Sequence, residues 1–347
     1  MGSVDADAHV IECEHTFDFL DPEFEKHRPV VVRSGDVSVP SQVGLAQRAF
    51  WYLDNRMLPK EGNIGVNTPR ESREMEDIGM RLAHMDELGI DVQVLYPTVF
   101  LRPWTENPEV EYALCRSYNR WLADIWARAP ERLRWVAMPH LLTLEKVREE
   151  LEFAKRNGAV GVYLHGIEHD RPLYSQLYFP LYEMAEQLDL PICFHAGNNS
   201  FLLEAMYRED SGFAKAKLPV VATFHQLLLK GIPAMFPKLR WGFVEVSAQW
   251  VPYALNDLSI RMRRRGETMS PTIMADNRMY VACQVTDDLE YVVRYAGEGQ
   301  LVVGTDYGHA DTATEIEAMR KLADDGKLAP DVAAKILDAN ARALCGL

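Results

Sequence analysis

Short apolar runs alternate with longer amphipathic stretches along most of the chain. Runs of this kind, bounded by turn residues, predict buried strands, and a 3.6-residue apolar period predicts helices. Strands are expected at Val4 to Val10, Ile90 to Tyr96, Leu133 to Met138, Ala159 to Leu164, Leu190 to His195, Leu239 to Glu245, Met279 to Val285 and Leu301 to Asp306. Helices are expected over Glu76 to Leu88, Val110 to Arg128, Leu144 to Arg156, Phe179 to Leu188, Lys217 to Leu229 and Ala329 to Leu344. The strands read as near-continuous apolar runs, as strands covered on both faces do. This alternation predicts an α/β chain folded as one (β/α)8 TIM barrel over residues 1–347, rather than an open doubly wound sheet.

One span breaks the rhythm. Ile11 to Arg73 holds Pro22, Pro29, Pro40, Pro59 and Pro69, and reads as a long insertion after the first strand, at the catalytic rim. A second irregular stretch, Gly197 to Leu218, follows the fifth strand. Phe19, Phe24, Phe50, Trp51, Tyr52, Phe100 and Trp104 either line an apolar pocket or pack beneath these loops.

Polar residues interrupt the apolar runs at their ends. Asp7 and His9 close the first strand in VDADAH, and alternation along a strand gives them the same face. Inside a barrel such a pair is costly unless it is hydrogen-bonded together or liganded, and a metal gives both a common use. His195 ends the fifth strand in PICFHAG, Glu245 the sixth in LRWGFVEVSAQW, and Asp306 the eighth in LVVGTDYGH. Residues at the C-terminal ends of barrel strands share one rim, so these distant positions form a candidate metal site. Glu245 is a ligand or an acid–base group unless Arg208 or Arg261 neutralises it. His165, after the fourth strand, is a candidate ligand for a second metal. His225, in an apolar helical stretch, is either a ligand or a satisfied core residue. Asp306, Glu245 and His225 are the candidate catalytic groups. Glu12 and His309 are candidates for fixing the orientation of ligand histidines.

Composition narrows the chemistry. The net charge of −14 over 347 residues disfavours a nucleic-acid partner, and the basic run Arg261 to Arg265 reads as a solvated helix face. Five scattered cysteines without a CxxC pair fit a reducing cytoplasm and no disulfide framework. No apolar run approaches a membrane span, and no signal peptide is visible. No GxGxxG, GKS/GKT or GxSxG motif is present, so nucleotide and serine-hydrolase chemistry lack support.

VDADAH, LYFPLYEMAEQLDLPICFH, GIPAMFPKLRWGFVE, GTDYGH and ILDANARALCGL together resemble the amidohydrolase superfamily over nearly the full length. The likeness is to the branch with aminocarboxymuconate semialdehyde decarboxylase and related aromatic-acid decarboxylases. The resemblance implies a metal-dependent barrel enzyme with ligands at Asp7, His9, His195 and Asp306. Asp7 stands where the family has the first histidine of His-x-His. Glu245 stands where the decarboxylases carry a catalytic histidine, which weighs against decarboxylation. Carboxylates at Asp7, Glu245 and Asp306, with imidazoles at His9, His165, His195 and His225, exceed the needs of one ion. Such a mixed set suits iron, manganese or zinc. The pattern is similar to non-heme diiron hydroxylases built on an amidohydrolase-type barrel, which act on diterpenoid acyl-CoA. That likeness implies two Fe ions (alternatively Zn or Mn), dioxygen, an external reductant and a small-molecule substrate, with a CoA thioester in view. The alternatives are a metal-dependent hydrolase and a non-oxidative decarboxylase. The sequence is compatible with a homo-oligomer.

Overall fold

The computed structural model describes every residue except 1, 36–38, 41–45, 61–62 and 211. Eight parallel strands pair in chain order: β1 (Val4–His9), β2 (Val92–Tyr96), β3 (Leu133–Ala137), β4 (Ala159–His165), β5 (Ile192–His195), β6 (Trp241–Val244), β7 (Met279–Cys283) and β8 (Leu301–Val303). Each strand is buried almost throughout, which explains its apolar run. Backbone hydrogen bonds beyond β8 bring the sheet back to β1. Asp306 N donates to Asp7 O at 2.8 Å and His9 N to Tyr307 O at 2.9 Å. The result is a nearly closed (β/α)8 barrel.

Most sequence-based strands overrun the observed ones, whereas β4 runs one residue further than expected and includes His165. Glu245 and Asp306 lie past the ends of β6 and β8, in turns where their backbones take the left-handed conformation, with φ of 62° and 53°. Non-glycine residues in that region cost about 1–3 kcal/mol each and concentrate at functional sites. At Gly304 the wall leaves no room for a side chain. A Cβ there would stand 2.1 Å from Asp7 Cβ and 2.9 Å from Asp7 N.

Two of the barrel helices begin at side-chain caps. Asp77 accepts from Met80 N at the start of α1 (Ile78–Leu88), and Gly89 closes that helix at φ 72°. Asn107 caps α2 (Pro108–Arg128), with Pro108 at its first turn. α3 (Val147–Arg156) and α4 (Phe179–Gln187) follow β3 and β4, α5 (Leu218–Leu229) follows β5, and α6 (Val251–Arg264) follows β6. The final stretch, Pro330 to Cys345, is helical throughout, with a π-turn at Lys335–Ala339 inside it. Among the described residues no helix is long and apolar enough to cross a membrane.

The span after β1 contains a three-stranded antiparallel sheet of Val30–Arg33, Ala49–Leu53 and Arg56–Pro59. Its tight turn uses Asp54 and Asn55 at φ 44° and 60°, the backbone that a two-residue hairpin requires. The span then returns to the barrel mouth. Ile64 bridges His309, and Gly65 N donates to Gly308 O at 2.8 Å. Trp51, Phe100 and Trp104 are buried, packing against Phe17, Tyr118 and one another, while Tyr52 is exposed.

Candidate metal centre

Asp7, His9, His195, Glu245, Asp306 and His309 converge at the strand ends, all buried. His195 Nε2 lies 3.2 Å from Asp7 Oδ1 and 3.0 Å from Glu245 Oε2. His9 Nε2 lies 3.5 Å from Asp7 Oδ1, 3.6 Å from Glu245 Oε2 and 3.4 Å from Asp306 Oδ1. His309 Nδ1 is 2.7 Å from Asp306 Oδ1. Donors about 2.1 Å from a shared tetrahedral or octahedral ion are spaced roughly 3.0–3.4 Å apart, close to the separations found here.

The histidines are held in one useful tautomer each. His9 Nδ1 donates to Pro97 O at 2.8 Å, and His195 Nδ1 to Ala196 O at 2.8 Å. Thr98 Oγ1 donates to Val10 O at 2.7 Å, which leaves it to accept from His309 Nε2 at 2.9 Å. In each ring the proton is committed outside the cluster, and the nitrogen facing inward carries a lone pair. Four of these inward atoms, His9 Nε2, Glu245 Oε2, Asp306 Oδ1 and His309 Nδ1, have no hydrogen-bond partner. Buried polar atoms left this way cost free energy, and a cation among them supplies the missing interaction.

Charge leads to the same conclusion. Burial pushes the carboxyls of Glu245 and Asp306 well above the usual range, with neighbouring acids, Asp311 first among them, adding to the rise. Burial also acts to raise Asp7, but the adjacent imidazoles of His195 and His9 more than offset it and hold that carboxyl low. Burial drives His309 well below its ordinary value, and the charge of Arg102 acts in the same direction. Three ionised carboxylates at this spacing repel unless cations lie between them. The set is therefore built to hold divalent metal.

The six residues fall into two overlapping groups: Asp7, His9, His195, Glu245; and His9, Glu245, Asp306, His309. Within each, the donor atoms lie within 4.8 Å of one another, whereas the six do not form one such group. Opposite ligands of a single ion stand at most about 4.2 Å apart. No single ion reaches all six donors, and His9 and Glu245 belong to both groups.

Other sequence-based candidates go elsewhere. His165 sits beside His195 in register, but its Nδ1 pairs with Glu168 at 2.8 Å and its Nε2 meets Tyr163 Oη and Phe100 O. The space beside it, bounded by Trp104, Cys115, Met138 and Asn199, is about 20 Å³, room for one water. His225 is on α5 and faces Asp257 of α6 at 3.0 Å, outside both donor groups. Asp257 also takes Arg261, so that arginine does not neutralise Glu245. Glu12 accepts from the backbone N–H groups of Thr98 and Val99 rather than from a histidine. His309, expected to orient a ligand, is itself in a donor group. Its i, i+3 spacing from Asp306 across Gly308 was the available signal.

Thr98 deserves a test of its own. Thr98→Val removes the acceptor for His309 Nε2–H, and the expected result is about 10- to 100-fold weaker binding of one metal equivalent, the usual effect of losing a partner one shell out. Thr98→Ser should retain it. Stepwise metal titration followed by calorimetry distinguishes the two.

Comparison with known proteins agrees with this geometry. A family model described as amidohydrolase matches residues 4–347. An amidohydrolase from Mycobacterium avium subsp. paratuberculosis is similar in structure, with a TM-score of 0.77 at 19% identity, covering 99% of each chain. The 5-carboxyvanillate decarboxylase of Sphingomonas paucimobilis gives 0.70 at 17%, covering 100% of this chain and 99% of the other. That of Novosphingobium aromaticivorans, solved with manganese and 4-hydroxy-3-methoxy-5-nitrobenzoic acid, gives 0.71 at 17%, covering 100% and 96%. At these identities the structural likeness speaks to the fold. With the family match spanning almost every residue, and the ligand set at the strand ends, this chain belongs to the amidohydrolase family.

Proposed function

We propose that this chain is an enzyme that holds two divalent metal ions side by side and uses them on a small-molecule substrate. The observation that carries this reading is the pair of overlapping donor groups with four partnerless inward atoms. Asp7, His195 and Glu245 would hold one ion and Glu245, Asp306 and His309 the other, with His9 in reach of either. Bound there, divalent ions polarise a substrate oxygen and make water a nucleophile near neutral pH.

Metal-assisted hydrolysis is the reaction class that the family relationship supports. In it Asp306 takes a proton from the attacking water and returns it to the leaving group. Its Oδ2 is fixed by Thr314 Oγ1 at 2.6 Å, which leaves Oδ1 facing the centre. Thr98, Pro97 O and Ala196 O keep the three imidazoles aligned throughout. Burial of all six side chains excludes bulk water and strengthens every charge interaction in the site.

Oxygen-dependent hydroxylation by two irons is the second reading. Its support is the donor chemistry: three carboxylates with three imidazoles, a mixed oxygen–nitrogen set that suits iron as well as zinc or manganese. It requires dioxygen and an external reductant, and its substrate is a bulky apolar carboxylic-acid derivative such as a CoA thioester. Non-oxidative decarboxylation ranks third, because Glu245 beside cations stays ionised and is poorly suited to protonating carbon. The five cysteines are unpaired and buried, which supports placing the protein in a reducing cytoplasm.

Metal analysis with an oxygen electrode separates these readings. About two ions per chain are expected, and a single ion at saturation overturns the dinuclear assignment. Turnover of amide or ester substrates without oxygen favours hydrolysis. Substrate-dependent oxygen uptake in the iron-loaded, reduced protein favours hydroxylation.

A further inference from the structure

The loop after β2 carries a cation with no counterpart. Arg102 follows the short turn Val99–Leu101 and is half-buried in extended backbone. Among the described residues no acceptor lies within hydrogen-bond or ion-pair distance of its guanidinium. The loop is fixed at the barrel mouth on both sides. Thr98 holds His309, and Leu101 O accepts from Asn198 N at 3.1 Å in the loop after β5. Gly197 packs so closely that a Cβ would stand 2.5 Å from Leu101 O. Arg102 is thus placed between the β2 and β5 exits.

The neighbouring charges are otherwise engaged. Glu204, the acid whose charge Arg102 feels, is bound by Lys215 Nζ at 2.8 Å and lies beyond ion-pair reach of Arg102. Lys217, whose charge reaches Glu245, donates to Thr312 Oγ1 at 2.9 Å. Asp311 accepts from Asn63 and from the Ala313 backbone. A guanidinium partly withdrawn from water with no carboxylate beside it loses hydration that no ion pair replaces. Its planar fork matches a carboxylate in two parallel hydrogen bonds. The local charge also favours an anion: three carboxylates against two divalent ions leave the centre positive before Arg102 is added.

We propose that Arg102 is a specificity residue at this barrel mouth, binding a carboxylate of the substrate while the reacting group lies at the metal centre. The proposal rests on the dinuclear reading and narrows it to acidic substrates. It predicts that the barrel mouth distinguishes an acid from its uncharged amide of the same shape.

Calorimetry with 1-adamantanecarboxylate, 1-adamantanecarboxamide and inorganic phosphate, on the manganese-loaded protein, tests it. The wild type should bind the acid about 10- to 100-fold more tightly than the amide, the range of a charge-assisted hydrogen bond. Arg102→Gln should erase that preference with metal content and melting temperature unchanged, and Arg102→Lys should keep part of it. Three results overturn the proposal: no acid preference in the wild type, an undiminished preference in Arg102→Gln, or phosphate bound more tightly than the acid. The same titrations on metal-free protein separate the two claims. Failure to load metal defeats the dinuclear reading, whereas the effect of Arg102→Gln without metal still decides Arg102.

Discussion

Glu245→Gln is expected to reduce bound metal from about two ions per chain to less than one. The substitution preserves shape and removes the one carboxylate that both donor groups share. His309→Ala should instead remove a single equivalent and leave the Asp7–His195 side loaded. The Glu245 variant should lose at least about 1000-fold in turnover, or roughly 4 kcal/mol of transition-state stabilisation. Elemental analysis after exhaustive dialysis gives the stoichiometry. Equal losses in the two variants would mean that the groups act as one site, and the shared position of Glu245 would carry no weight.

Gly304→Ala is expected to be nearly as damaging, for a purely steric reason. The added carbon meets Asp7 Cβ at 2.1 Å and its backbone nitrogen at 2.9 Å, so β8 must move away from β1 or the ligand must shift. Overpacking against a well-packed wall costs about 1–3 kcal/mol, and contact with backbone puts this case at the upper end. Urea unfolding of the metal-free protein should show a lowered midpoint with an unchanged slope. Metal affinity should fall as well, because Asp7 is displaced. A variant with wild-type midpoint and wild-type affinity would show that the barrel wall yields freely at this point.

The strands were legible because burial on both faces makes their composition continuous, and that signal survives without any contact information. Asp7, His9 and His195 lie in or at the end of β1 and β5, where alternation and register determine direction. Glu245 and Asp306 were found as candidates even though both strands stop before them. The left-handed turns that present them have no compositional mark beyond the abrupt polar residue. His225 shows where pattern fails. Its apolar helix predicted burial, but which way one histidine faces depends on α5 packing against α6, where Asp257 was waiting. His165 shares the register of His195, and only the Glu168 side chain three residues later turns its ring aside. The hairpin at Asp54 and Asn55 sat between two strand-like segments and was read as irregular because of the surrounding prolines.

The first ligand is at position 7 and the last at position 309, and the turn that holds the last is clasped by Ile64 and Gly65. The full donor set can therefore assemble only after residue 309 has been made. Because mixed carboxylate and imidazole donors accept several first-row ions, cellular supply at that moment takes part in choosing the metal. Protein overproduced in a metal-starved or zinc-flooded host is then expected to carry an ion that reflects the medium as much as the chain.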